Sequence, residues 1–385
     1  MAISNSLVED VGYGLLRTKG KGQNRAEVTV VSNQKGSFNR AAVLKAENPA
    51  GTTKFILKIP FHGLSGWSEE DAHMLRSEVE LMIFLDTQTS VPVPTVLGYD
   101  TSQRNAIGAP YILMEYIGTG MPATFFWTGL NDLNESKEPL VDLHEKRVTF
   151  LKSLAGVLAQ LGKIKFKGIG VPIFPAGDET FTDILSVGPS WCEEFFKEMA
   201  AMQLSDVYGK YGYKSTLPRG VEKISNIIMD TPAFTSPKEH PEDEQETFVL
   251  RHPDLVLQNI MVSPTGEVVG FIDWEGCTTV PRSVGYSTLP LFLQLDWIDY
   301  GFRCPPIQRW EIDGYRKIFV HAMREIGGPD TQYTAQSHIY QSFHAWLYDS
   351  RDVEALMRKV IHQLPGFSSG CDLDISSCGS AKPDE

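Results

Sequence analysis

The chain has 385 residues, 42% of them hydrophobic, enough to bury one large core or the cores of two associated lobes. Its formal net charge of −13 argues against nucleic acid or an anionic membrane as partner, since both require a broad basic face. Five cysteines, at 192, 277, 304, 371 and 378, are odd in number and lack Cys-x-x-Cys spacing, which disfavours structural zinc and a disulfide framework and points to a reducing compartment.

The first residues, "MAISNSLVEDVGYG", carry no basic segment followed by an apolar one, so no secretory signal is expected. No apolar run approaches the ~20 residues that span a bilayer. The expected setting is the cytoplasm.

Between 26 and 59 three strands are predicted, "AEVTVV", "FNRAAVLKA" and "TKFILKI", an antiparallel meander separated by "SNQKGS" and "ENPAGT". Residues 69–88 place Leu75, Val79, Met82 and Leu85 at helical spacing. "VPVPTVLGYD" and "PYILMEYI" supply two more strands, completing an α+β lobe of five strands and one helix that ends near Ile117. Beyond it the pattern is mostly helical: a long buried helix over 142–167, then helices near 190–211, 218–229, 307–325, 333–347 and 350–363. Residues 235–246 read as an acidic, proline-rich surface loop, and 369–385 as a polar, disordered tail. The expected organisation is therefore a lobe over 1–117, a helical lobe over 118–368, and the tail.

The chemistry concentrates in "RHPDLVLQNIMVSPTGEVVGFIDWEG", residues 251–276. Two apolar runs flank a Pro-Thr-Gly turn, which predicts a β-hairpin. Around it stand His252 and Asp254 before the first run, Asn259 at its start and Asp273 after the second. A hard cation such as Mg²⁺ takes oxygen ligands from one or two carboxylates plus substrate phosphates, a role suited to Asn259 and Asp273. Asp254, not required by the metal, is placed to accept a proton from an attacking hydroxyl.

The spacing His252-x-Asp254-x-x-x-x-Asn259, followed by Ile272-Asp273-Trp274-Glu275, resembles the signature of the aminoglycoside phosphotransferase and choline kinase family, from about residue 27 to 297. The resemblance implies a bilobal, protein-kinase-like fold and transfer of the γ-phosphoryl group of ATP, with GTP as the alternative, to a small-molecule hydroxyl. It implies Asp254 as catalytic base, His252 as support for the catalytic loop, and Asn259 and Asp273 as Mg²⁺ ligands.

Within the first lobe, Lys58 of "FILKIP" faces opposite to Leu57 and Ile59, and a lysine in an apolar strand needs an anionic partner. Glu78 lies toward the apolar face of the 69–88 helix, whereas Glu80 falls on its polar stripe with His73 and Arg76. The resemblance implies that Lys58 contacts nucleotide phosphates and that Glu78 anchors it. "KGSFNR", 35–40, corresponds to the phosphate-covering loop, with Gly36 allowing close backbone approach and Ser37 offering an N–H and a hydroxyl. "ILMEYI", 112–117, matches the inter-lobe hinge, where backbone groups from Glu115 to Ile117 would bond the purine.

Departures from the family pattern narrow the reading. No Gly-Asp-Pro run follows "IDWE", and the nearest acidic candidate downstream is Asp296. Asp-Phe-Gly, Ala-Pro-Glu and a long activation segment are absent, which disfavours a protein kinase. The acidic set Asp178, Glu179, Asp183, Glu193, Glu194 and Glu198, with the net charge, suggests an acceptor bearing an amine. The competing expectation is a catalytically silent kinase-like protein that binds a nucleotide or metabolite.

Overall fold

The computed structural model describes residues 3–19, 27–48, 51–118, 120–128, 140–174, 192–230, 246–294, 309–328, 330–337 and 340. Its elements begin with α1 (Asn5–Thr18), β1 (Val28–Lys35), β2 (Asn39–Asn48), β3 (Gly51–Pro60), α2 (Glu69–Gln88), β4 (Val96–Asp100) and β5 (Tyr111–Glu115). There follow β6 (Met121–Pro122), α3 (Ala123–Thr128), α4 (Leu140–Leu161), α5 (Cys192–Tyr211), α6 (Thr216–Met229) and β7 (Val249–Arg251). The last are β8 (Ile260–Val262), β9 (Val268–Phe271), β10 (Thr278–Val280), α7 (Arg309–Ile326) and α8 (Thr331–Ala335). The fold is α+β. Two units divide the chain: Met1–Phe150 with Leu257–Cys277, and Leu151–Val256 with Thr278–Glu385. The division thus falls inside α4 and around the hairpin, not at 117.

In the first unit β1 to β5 form one antiparallel sheet in the order β1-β2-β3-β5-β4. Strand alternation sends Ala42, Leu44, Phe55 and Leu57 to one face, where they cluster with Val8, Val11 and Leu16 of α1. Helix α1 had no counterpart in the sequence reading. Gly12 and Gly14 weaken its intrinsic propensity, so packing is what sustains it. Gly12 is needed for that packing, because a Cβ there would lie 2.6 Å from Leu44 Cδ1. Ser4 caps the helix by accepting from the Leu7 N–H.

Helix α2 has the bounds that its periodicity predicts, 69–88, and opens on a capping box in which Ser68 and Asp71 exchange backbone bonds. Beyond the sheet, β6, β8 and β9 make a three-stranded sheet. Its hairpin turns at Gly266, whose φ of +91° suits glycine and whose hydrogen faces the Phe126 ring, 2.6 Å from where a Cβ would stand. The Phe271 N–H donates to the Pro92 carbonyl, tying the hairpin to the segment between α2 and β4.

In the second unit β7 pairs antiparallel with β10, and Phe166 bridges to Phe248. The predicted helix over 142–167 ends earlier, at Leu161. Gly162, Lys163 and Ile164 continue as tight i→i−3 turns, and a Cβ at residue 162 would overlap the Tyr286 ring. Helices predicted at 190–211, 218–229 and 307–325 correspond to α5, α6 and α7. Of 333–347, residues 333–337 and 340 are described and include the end of α8; the helix over 350–363 and the tail over 369–385 lie outside the described residues, as does the loop over 235–246 except Glu246. Among the described residues no helix is long and apolar enough to cross a membrane.

Candidate functional site

Lys58 sits in the middle of β3 and is 7% exposed. Its Nζ donates to Glu78 Oε1 at 2.8 Å and to Asp273 Oδ1 at 2.8 Å, and it lies 3.3 Å from Glu275 Oε2. Glu78, 3% exposed, approaches from α2 on the face opposite to Leu57 and Ile59. Glu80 is half-buried and interacts instead with Arg76 and His73, as its place on the polar stripe implies.

Three carboxylates therefore surround one ammonium. Burial opposes the charge on Lys58, but Glu78, Asp273 and Glu275 outweigh it and hold the lysine protonated, well above its ordinary range. Burial pushes the Glu78 carboxyl up, against the pull of Lys58. Glu78 Oε2 is itself buried and receives no hydrogen bond among the described residues.

The turn after β9 explains how Asp273 and Glu275 come to share that lysine. Asp273 has φ +66°, the left-handed region, which aspartate tolerates better than most residues. The reversal drives Trp274 into the core, fully buried, with its Nε1 donating to the Phe271 carbonyl and its ring edge-on to Phe271. Asp273 and Glu275 emerge on either side of it, each side chain 42% exposed. Motif spacing assigns no role to Glu275; the signal in the sequence is its i+2 relation to Asp273 across a tryptophan.

Asn259 is buried, and its carbonyl accepts from the N–H of Ile272, the residue before Asp273. The two expected metal ligands thus flank one end of the same hairpin. With Glu275 they offer only oxygen donors, the set a hard divalent cation prefers. Among the described residues no group of three or more His, Cys, Asp or Glu is placed to hold a metal ion.

The loop carrying Gly36 and Ser37 is a tight turn between β1 and β2, closed by the Gly36 N–H on the Asn39 carbonyl at 2.9 Å. Asn39 Nδ2 donates to Glu275 Oε2 at 3.1 Å, which joins this loop to the lysine site. At the expected hinge the N–H groups of Glu115 and Tyr116 are bonded to the carbonyls of Thr95 and Lys54. The Ile117 carbonyl accepts from the Gly120 N–H at 3.3 Å.

His252 and Asp254 belong to the second unit. His252 is buried, and its Nδ1 accepts the Asp254 N–H at 3.2 Å, so a neutral imidazole carries its proton on Nε2. The Val256 N–H closes on the Asp254 carbonyl at 2.9 Å, and this turn presents the Asp254 side chain to solvent. A small cavity beside it is walled by His252, Pro253, Leu158, Leu161 and Tyr286, with no carboxylate in its lining. Of the acidic set suggested for the acceptor, Glu194 and Glu198 are exposed on α5; Asp178, Glu179 and Asp183 lie outside the described residues, as does Asp296.

No family model matches the chain. It is 24% identical over 369 residues to a subtelomeric hrmA-associated cluster protein of Aspergillus fumigatus, covering 80% of this chain and 70% of that protein. It is 28% identical over 349 residues to the altered inheritance of mitochondria protein 9 of Kluyveromyces lactis, named as mitochondrial, covering 76% of this chain and 53% of that one. Among solved structures, a macrolide 2'-phosphotransferase type I superposes with a TM-score of 0.49 at 14% identity, over 93% of this chain and 97% of that one.

Proposed function

We propose that the protein is a Mg²⁺-dependent phosphotransferase that moves the γ-phosphoryl group of ATP, or of GTP, to a hydroxyl of a small molecule. The observation that carries this reading is the buried Lys58, held charged by Glu78 on its core side with Asp273 and Glu275 on its exposed side. That arrangement supplies a fixed cation for nucleotide phosphates next to oxygen donors for a divalent metal. Asn259, Asp273 and Glu275 would hold the ion. Bound there, Mg²⁺ would neutralise charge developing on the phosphate oxygens.

The protein's own groups divide the remaining work. Lys58 orients the phosphates, Gly36 and Ser37 cover them with backbone N–H groups and a hydroxyl, and groups around Ile117 meet the base. Asp254 orients the acceptor hydroxyl and takes its proton, while His252 holds the Asp254 turn through Nδ1. An amine-bearing acceptor is favoured by the exposed Glu194 and Glu198, though the cavity at His252 contributes no carboxylate to it. We place the reaction in a reducing compartment, the cytoplasm, which the odd number and scattered spacing of the five cysteines favour.

The second reading, a silent nucleotide or metabolite binder, draws on the same lysine: a lysine has three donors, and three carboxylates already surround Lys58. Incubating the protein with Mg·ATP or Mg·GTP and a panel of hydroxylated amines, amino alcohols and sugars decides between them. A phosphorylated product detected by mass spectrometry is expected. Mg²⁺-dependent nucleotide binding without product from any acceptor supports the silent binder, and no nucleotide binding overturns both.

A further inference from the structure

Asn39 stands at the first position of β2, and the β2–β3 register pairs Asn39 with Pro60, Arg40 with Ile59 and Ala41 with Lys58. Since side chains alternate along a strand, Asn39 and Ala41 share the face on which Lys58 projects. Arg40 goes to the other face, where its guanidinium bonds the Ile3 carbonyl and the Asn33 and Asn5 side chains. The asparagine is therefore aimed at the lysine site by strand geometry, not by a flexible loop.

Its backbone and its side chain act on different partners. The Asn39 carbonyl closes the Gly36 turn, and the neighbouring Phe38 carbonyl accepts from the Phe61 N–H at 2.8 Å, so the loop tip is fixed to the end of β3. The side-chain Nδ2 reaches Glu275 Oε2, the same oxygen that lies 3.3 Å from Lys58 Nζ. Among the described residues, Asn39 and Lys58 are the two side chains bonded to Glu275.

The carboxamide leaves its own Oδ1 buried with no hydrogen bond among the described residues. A buried acceptor without a donor is costly, and turning the amide over would set oxygen against the Glu275 carboxylate. Among the described residues, its orientation is thus dictated by Glu275. An apolar residue would avoid the cost, so the asparagine is explained by what it does to that carboxylate.

We propose that Asn39 is a positioning residue that sets the Glu275 carboxylate beside Lys58 and so couples the Gly36–Ser37 loop to loading of the site with a divalent cation and a nucleotide. The inference rests on the phosphotransferase reading for its ligand, while the tie itself joins two of the protein's own side chains. With Asn39 in place, the carboxylate and the loop move as one body. Without it, Lys58 is the side chain left holding Glu275 among the described residues, and the loop keeps its backbone bonds.

Two measurements test the coupling. In calorimetric titrations with Mg·ATP, Asn39→Ala is expected to raise Kd about tenfold, the scale of one hydrogen bond to a charged group, while metal-free ATP binding changes little. Asn39→Asp, which sets a second carboxylate against Glu275, is expected to weaken Mg·ATP binding further. In a Glu275→Ala background, Asn39→Ala should add nothing. Independently of any ligand, amide hydrogen exchange at residues 36–40 should accelerate equally in Asn39→Ala and Glu275→Ala. If wild-type protein binds Mg·ATP but Asn39→Ala matches it, or the two substitutions are additive, the inference falls and the phosphotransferase reading stands. Wild-type exchange rates in Glu275→Ala would likewise overturn it. Wild-type protein that binds no nucleotide removes the phosphotransferase reading and this inference together.

Discussion

Lys58 Nζ and Asp273 Oδ1 lie 2.8 Å apart across 215 residues of sequence, and Glu78 holds the same ammonium from the other side at 2.8 Å. One cation is thereby shared between a fully enclosed carboxylate and a half-exposed one. Removing it affects the two differently.

Lys58→Ala leaves Glu78 buried without its counter-charge, and breaking such a pair costs about 3 kcal/mol. Burial already pushes the Glu78 carboxyl up, and losing Lys58 pushes it further. The folded variant then binds a proton at a pH where the unfolded chain does not, so its stability rises as pH falls toward the ordinary carboxylate range. The melting-temperature gap between Lys58→Ala and wild type should be widest near pH 8 and narrow toward pH 5. A gap independent of pH would contradict the assignment.

At Asp273 the backbone and the charge separate. Asp273→Asn keeps a residue that tolerates the left-handed conformation and reduces the excess of acid around Lys58, so its melting temperature should be no lower than wild type. Asp273→Ala should be less stable than Asp273→Asn by about 1 kcal/mol, the backbone cost of that region. Both should lose Mg²⁺-dependent nucleotide binding, which calorimetry with and without the metal reads directly.

Asp254→Asn preserves the backbone turn over His252 and removes only the base. Steady-state kinetics should give a kcat lowered by about 10² or more, with the KM for nucleotide unchanged. Turnover near wild type would exclude the base role.

The second unit has its own enclosed ion pair. Arg282 Nη1 meets Asp330 Oδ2 at 2.6 Å, Tyr286 donates to the same oxygen at 2.9 Å, and Arg282 also bonds Thr247 Oγ1. Asp330→Ala should cost about 3 kcal/mol by stranding the guanidinium. Combining it with Arg282→Met should cost less than the sum, as expected of two members of one unit. Chemical denaturation across the four proteins measures this.

The sequence made some of this architecture readable because periodicity is local. The 3.6-residue repeat picked Glu78 over Glu80, and period two turned Lys58 away from Leu57; both depend only on residues a few positions apart. Glu275 escaped the same logic because a left-handed residue precedes it, and simple strand parity fails at such a turn. Asn39 falls in both the second predicted strand and the 35–40 loop and gains no role from either, since its partner lies 236 residues away. Helix α1 contains two glycines that lower its propensity, so what sustains it is the close approach to Leu44, which no local pattern reports. The end of α4 at Leu161 is set in the same way by Tyr286, far along the chain.

The discontinuity of the first unit has a consequence for the order in which the protein is made. Strand β6 pairs with β8, and β8 with β9, so the small sheet awaits synthesis through Phe271. At roughly 5–20 residues per second, a ribosome needs many seconds to travel from Lys58 to Glu275. During that interval the nascent chain contains Lys58 and Glu78, whereas Asp273 and Glu275 do not yet exist. Any folding of the five-stranded sheet and α2 in that interval pairs Lys58 with Glu78 alone, and the finished polypeptide adds the two outer carboxylates.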